Sequence, residues 1–253
     1  IAEGRIINDP VQYADLNSLL SFQTILTLPV AAITMIVTRY VAQYGLKDAV
    51  RIAEFLRWIL KPVLIMALSI VVLGVVFSKQ IDQYLHINMT VYVIEIVISA
   101  GVGILSAISM GGLQGMQLFF LYGVLGLVGP ISKIIAVIIS SFTYNKIGVT
   151  LFIMIIGNAA TVVVGLWMLK THLPEAKQKK WDGEISELIH FSLFSFVLNV
   201  AMTVISNLDL FLVKHYFNEE AGFYSTALVL GKIVAYFTAP IVVVLSPLAV
   251  TSR

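Results

Sequence analysis

The sequence predicts an all-α polytopic membrane protein of about seven transmembrane helices. Three observations lead there. The first is composition. The 253 residues are 59% hydrophobic and 12% charged, with a mean hydropathy of +0.96. A soluble domain carries about 25% charged residues, so this chain lacks the polar surface to cover a globule in water. The second is the recurrence of apolar stretches of spanning length. The third is the fall of lysine and arginine into alternate connections. The chain has no cysteine, which excludes disulfides and thiolate metal sites.

A spanning helix needs about 20 mainly apolar residues. Seven stretches qualify, near 16–44, 56–78, 90–110, 117–142, 148–169, 186–213 and 221–249. The connections are short except for 170–185, "KTHLPEAKQKKWDGEI", a polar linker. Pro29, Pro130, Pro240 and Pro247 fall inside spans. Each removes a backbone hydrogen bond and favours a bend. "WDGEISELIHFSLF" is expected to begin as an interfacial helix with Trp181 at headgroup level. Glu184, Glu187 and His190 recur there at helical spacing but match no metal pattern, so they read as a solvated helix end.

Orientation follows from the basic residues. One side collects Arg39, Lys47, Arg51, Arg57, Lys61, Lys170, Lys177, Lys179, Lys180 and Arg253. The other has Arg5, Lys79, Lys146 and Lys214. Seven alternating helices put the rich side at the cytoplasm each time. Residues 1–15 are therefore expected outside, and 170–185 and Arg253 in the cytoplasm.

An internal repeat is visible. A shift of 211 residues lays Tyr13 on Tyr224, Leu19 on Leu230, Thr27 on Thr238 and Pro29 on Pro240. "TLPVAAI" then lies over "TAPIVVV". The two segments are six helices apart and run in the same direction, so the repeat would be parallel. That implies a parent of about twelve helices in two lobes of six. Residues 1–169 would hold five helices of the first lobe, with its first helix missing. Residues 170–185 would link the lobes, and 186–253 would begin the second with two helices.

The stretch "NLDLFLVKHYFNEEAGFYSTALVLGKIVAYFTAPIVVVLSPL" resembles the start of the second lobe in bacterial polysaccharide flippases. "LNSLLSFQTILTLPVAAITMIVTRYVAQ" resembles the second helix of their first lobe, and "GGLQGMQLF" their short cytoplasmic turn. These are O-antigen and capsule exporters of the multidrug/oligosaccharidyl-lipid/polysaccharide superfamily. The resemblance spans nearly the whole chain. It implies two six-helix bundles around a central cavity in the bacterial inner membrane. The substrate it implies is an oligosaccharide on a polyprenyl pyrophosphate carrier, turned across the bilayer by alternating access. Polysaccharide polymerase and assembly proteins are the partners it implies. It implies no covalent chemistry, hence no enzyme, and no cofactor. Relatives export drugs by cation coupling, which is the alternative reading; a membrane enzyme of glycan assembly is a further one.

Ionisable groups inside a bilayer are costly and usually face a bundle interior or water. Lys232 lies near the middle of the last span and shares a helical face with Ser225 and Tyr236. It reads either as an anion contact for pyrophosphate or acidic sugar, or as a snorkelling or paired lysine. Ser192, Ser195, Asn199, Thr203 and Ser206 form a polar stripe on the sixth span, with Asn207 at its edge. The stripe would suit a sugar-lined cavity or interhelical hydrogen bonding. Asp209 would pair with a lysine or take part in cation coupling. Lys133 reaches out among Gly126, Gly129, Ala136 and Ser140, small residues that allow close helix approach. In the flippase reading, Lys133 and Lys232 together offset an anionic headgroup. Glu95, with Ser99, Ser106 and Ser109, reads as a coupling carboxylate or an interfacial group. Arg39 sits near a cytoplasmic helix end, where orientation explains it or an anionic headgroup would meet it.

Histidines 86, 172, 190 and 215 are scattered. There is no His-Glu-x-x-His helix, phosphate loop or nucleophile elbow. There is also no basic patch with interleaved aromatics for nucleic acid.

Overall fold

The computed structural model describes residues 10–44, 48–87, 89–144, 146–174, 186–217 and 220–232. Its elements, in order, are α1 (Pro10–Leu26), α2 (Leu28–Tyr44), α3 (Ala49–Val76), α4 (Ser78–Leu85), α5 (Thr90–Gly115), α6 (Phe119–Ser140), α7 (Lys146–His172) and α8 (Ser186–Tyr216). A further helical segment is described over 221–232. No strand occurs among the described residues.

Five of these stretches are long and apolar enough to cross a membrane: Gln12–Tyr44, Ala49–Val76, Thr90–Gly115, Phe119–Ser140 and Lys146–His172. They coincide with the first five expected spans. The 31-residue α8 occupies the place of the sixth. The seventh lies partly outside the described residues, as do Tyr236, Pro240 and Pro247.

The first span is one helical path interrupted at Thr27. Pro29 has no N–H to donate, and the ladder is re-formed by Thr27 N–H to Gln23 O (2.9 Å) and Val30 N–H to Thr27 O (2.9 Å). The helix expected to bend at Pro29 is thus interrupted two residues upstream of its ring. In α6, Pro130 is carried without a break in the helix. Pro62 inside α3 is tolerated in the same way.

The second span begins earlier than hydropathy places it. The Asp48 carboxylate caps α3 by accepting from Arg51 N–H at 3.2 Å. Arg51 is therefore a helical residue and not a connection residue, and Arg57 and Lys61, already inside the expected span, lie well within α3. At 28 residues, α3 is about 42 Å long. The short α4 follows at the far end, with Ser78 and Leu85 buried and Lys79, Gln80 and Tyr84 exposed. It ends at His86, whose φ of 52° is left-handed.

Helix α5 is the hub. It packs on α1, α2, α3, α6 and α7. Its buried face is built largely from small residues, among them Ser99, Ala100, Gly101, Ala107, Ser109 and Gly111. In lipid there is little hydrophobic drive between helices, so close van der Waals approach must hold them. Gly111 and Gly115 provide it. A Cβ on Gly111 would lie 2.8 Å from Thr34 O, and one on Gly115 2.7 Å from Thr38 O. The "GGLQGMQLF" turn is accordingly shorter than the resemblance implies. Its glycines belong to α5, and Met116, Gln117 and Leu118 make the turn, with Gln117 left-handed at φ 59°.

Helix direction alternates as expected. Gln23, Thr27 and Thr38 meet Ser99, Gly103 and Gly111 in ascending order, so α1–α2 runs parallel to α5. Gly101 meets Ala67 and Val71 while Gly74 meets Val97, so α3 runs against α5. By the same criterion α7 is parallel to α5 and α6 opposes α7. Helix α8 opposes α1, since Lys214 meets Asp15 and Phe211 meets Phe22. One end of the bundle thereby carries Arg39, Arg51, Arg57, Lys61 and Lys170, and the other Lys79, Lys146 and Lys214.

Two apolar clusters fill the interior. One, toward the basic end, includes Tyr40, Phe55, Ile104, Ile108 and Leu125, with the Tyr40 and Phe55 rings stacked at 3.8 Å. The other, toward the opposite end, includes Leu16, Leu19, Leu85, Ile96 and Leu151. Outward-facing Ile65, Leu68, Val72, Ile134 and Val163 leave an apolar perimeter.

Candidate functional site

The polar residues of α8 and segment 221–232 form one cluster. Lys232 is half-buried, and its Nζ donates to Asn207 Oδ1 at 3.2 Å. Asn207 is buried, and its Nδ2 donates to Thr203 O, one turn back, at 2.8 Å. Thr203 is half-buried on the same face. Asp209 Oδ1 accepts from Leu210 N–H at 2.7 Å, and Oδ2 accepts from the Tyr224 hydroxyl at 2.9 Å. Ser225 is buried and returns its hydroxyl to Gly222 O at 2.9 Å. The Asp209 carboxylate lies near the Lys232 ammonium. A cation, an amide and a carboxylate are thus gathered in an apolar setting. Such a group can hold an anionic or hydroxyl-bearing molecule by ion pairing and hydrogen bonds.

Asn199 and Ser206 lie on α8, but their side chains, like those of Ser192 and Ser195, are outside the described residues, as is Tyr236. Lys133 is not brought to this cluster. It is exposed on α6, which packs on α5 and α7 and not on α8. The close approach expected at Gly126 and Gly129 is also displaced. A Cβ on Gly129 would meet no atom within 4 Å, and the close contact is made three residues on, where Ser132 packs on Gly157. Arg39 is half-buried on α2 toward the basic end.

Glu95 is half-buried on α5, and its Oε2 is enclosed without a hydrogen-bond partner among the described residues. One turn along the same face lies a polar node that sequence reasoning missed in part. Ser99 Oγ receives Gln23 Nε2 and Asn158 Nδ2, each at 2.9 Å, joining α1, α5 and α7. Ser99 was visible as a neighbour of Glu95; Gln23 and Asn158 were not singled out.

A second omission is larger. Lys214 reads as a connection residue in the sequence, yet it lies in the last turn of α8, fully buried, and pairs with Asp15 of α1. Lys214 follows Asn207 by two helical turns on the same face, and Asp15 is the sole carboxylate of α1 and α2. That spacing was the available signal. Beside the pair, the His215 ring stacks on Tyr84 at 4.2 Å, and its Nδ1 lies 2.9 Å from Tyr84 O.

The all-α architecture, with five helices of spanning length and an apolar perimeter, is that of a membrane protein. No family model matches the chain, and no curated protein or solved structure matches it either.

Proposed function

We propose that the chain is part of a multi-pass inner-membrane transporter that flips a lipid-linked oligosaccharide by alternating access. The observation that carries this reading is Lys232, held by Asn207 beside Asp209 between two apolar helices. An ammonium whose hydrogen bond goes to an uncharged amide leaves its other two donors for a pyrophosphate or acidic sugar. In the two-lobed arrangement that the repeat implies, α1–α7 belong to one lobe, and α8 with segment 221–232 opens the other. The amphiphilic cavity would lie between them, with the lipid tail at its boundary. The basic end would face the cytoplasm.

Deleting the gene in the source bacterium tests the reading. Lipid-linked oligosaccharide trapped on the cytoplasmic leaflet is the expected result. Unchanged surface glycan with unchanged precursor pools refutes it.

Cation-coupled export of drugs is a second reading, favoured by the enclosed Glu95 carboxylate. It predicts normal glycan and new sensitivity to cationic drugs in the same deletion strain. In that case Glu95 and Asp209, not Lys232, are the residues to replace.

A further inference from the structure

Helix α6 runs toward the end of the bundle opposite the basic one and stops at Ser140, where a short turn leads into α7. A helix end leaves its last four carbonyls without intrahelical partners, and water often fills them. Here the turn's own groups fill all four. Val137 O accepts from Ser141 N–H at 3.2 Å and from Ser140 Oγ at 3.0 Å. Ile138 O accepts from Ser141 Oγ at 2.6 Å, and Ile139 O from Phe142 N–H at 3.2 Å. Ser140 O accepts from Thr143 N–H at 3.1 Å and from Thr143 Oγ1 at 3.0 Å. A helix end closed in this way needs nothing from solvent, so it can sit where water is scarce.

The same turn carries two aromatic side chains that the protein leaves uncovered. Phe142 is 86% exposed and Tyr144 fully exposed. They continue the exposed apolar strip of α6 that includes Ile134, Ile135 and Ile138. A phenyl ring left in water forgoes about 1.5–3 kcal/mol that burial would provide. Depth along α7 says where the rings lie. Trp167, near its other end, is exposed, and exposed indoles near helix ends mark headgroup level. Trp167 lies about 32 Å along the helix from Lys146, where α7 begins. The hydrocarbon layer is about 30 Å thick. With Trp167 at one boundary of that layer, the α6–α7 turn falls at the other.

We infer that the α6–α7 turn is an interfacial anchor, which binds the boundary between headgroups and acyl chains and fixes the depth of the α6–α7 hairpin. The Phe142 ring lies against the acyl chains. Tyr144 adds a ring of the same kind with a hydroxyl for the headgroups. A surface for docking a water-soluble protein would rise clear of the boundary, and the length of α7 does not carry the turn that far. Anchoring of this kind requires only a spanning chain and is independent of what the chain transports.

The chain has no cysteine, so Y144C and I138C each accept a single nitroxide label. The full chain is reconstituted in phosphatidylcholine vesicles, and label depth is read from collision rates with oxygen and with a water-soluble nickel chelate. The Y144C label should lie at the headgroup–acyl boundary, and the I138C label about 6–9 Å deeper. The I138C depth should stay constant between short-chain and long-chain phosphatidylcholine. Adding F142S/Y144S should make it follow bilayer thickness. A Y144C label as open to the chelate as one in bulk water overturns the inference and would make the turn a docking surface for a water-soluble protein. A label closed to both reagents also overturns it, since protein would then cover the turn. So does an I138C depth that responds to thickness to the same degree with and without the two aromatics.

Discussion

Lys214 of α8 and Asp15 of α1 form a fully interior ion pair between residues 199 apart in sequence. Two charges taken out of water are tolerated only with a close partner, and removing one leaves the other uncompensated. Asp15→Asn or Lys214→Gln should each lower stability by about 3 kcal/mol. The exchange D15K/K214D should recover much of that loss. Melting temperature in detergent is the measurement, and an unchanged midpoint in either single variant would show that the pair contributes nothing.

In the proposed transporter, Lys232→Ala should reduce flux about tenfold at normal expression, the effect of losing one charge-assisted hydrogen bond. Asn207→Ala should act in the same direction but less, since the ammonium remains. Flux of labelled lipid-linked oligosaccharide into vesicles reads both. Undiminished flux in Lys232→Ala would remove Lys232 from the transport path.

The glycines of α5 should differ sharply from one another. A methyl on Gly115 would meet the Thr38 carbonyl at 2.7 Å, an atom of rigid backbone. A methyl on Gly112 would meet a Leu169 methyl at the same distance, and that side chain can turn away. Gly115→Ala should therefore cost about 1–3 kcal/mol by overpacking and Gly112→Ala clearly less. Equal losses in denaturant titrations of the two variants would mean that α2 does not sit this close to α5.

Ser99→Ala should strand the Gln23 amide donor and remove one of the two bonds of Asn158 Nδ2, whose other bond goes to Ser99 O at 3.1 Å. The expected loss is about 1–2 kcal/mol. The triple change S99A/Q23L/N158L should recover part of it, because apolar groups leave no unpaired donor. Thermal unfolding of the two variants side by side decides the matter.

Much of the fold was legible because the bilayer imposes a simple rule, and runs such as 90–110 and 148–169 obey it. Their ends were less so. Hydropathy falls at Arg51 and Arg57, although Asp48 caps a helix that carries both, Arg51 over the Tyr44 ring and Arg57 exposed. Lys232, Asn207 and Asp209 stood out as polar residues in apolar surroundings, and the structure joins them. Lys133 stood out equally and joins nothing there, because sequence spacing fixes a face of one helix and not the neighbour that face meets. The Asp15–Lys214 pair and the Gln23–Ser99–Asn158 node depend on such neighbours, and so were hidden.

The interruption at Thr27 acquires a mechanical sense from what grips the chain on either side. Below it, Val37 and Thr38 of α2 are locked against Gly111 and Gly115. Above it, Asp15 of α1 is tied to Lys214 of α8. Both halves of this rod also touch both neighbours, since Gln23 of α1 reaches Ser99 of α5 and α8 packs on α2 as well as on α1. The turn before Pro29, where the proline withholds one backbone bond, is the softest point along a rod that is otherwise held throughout its length.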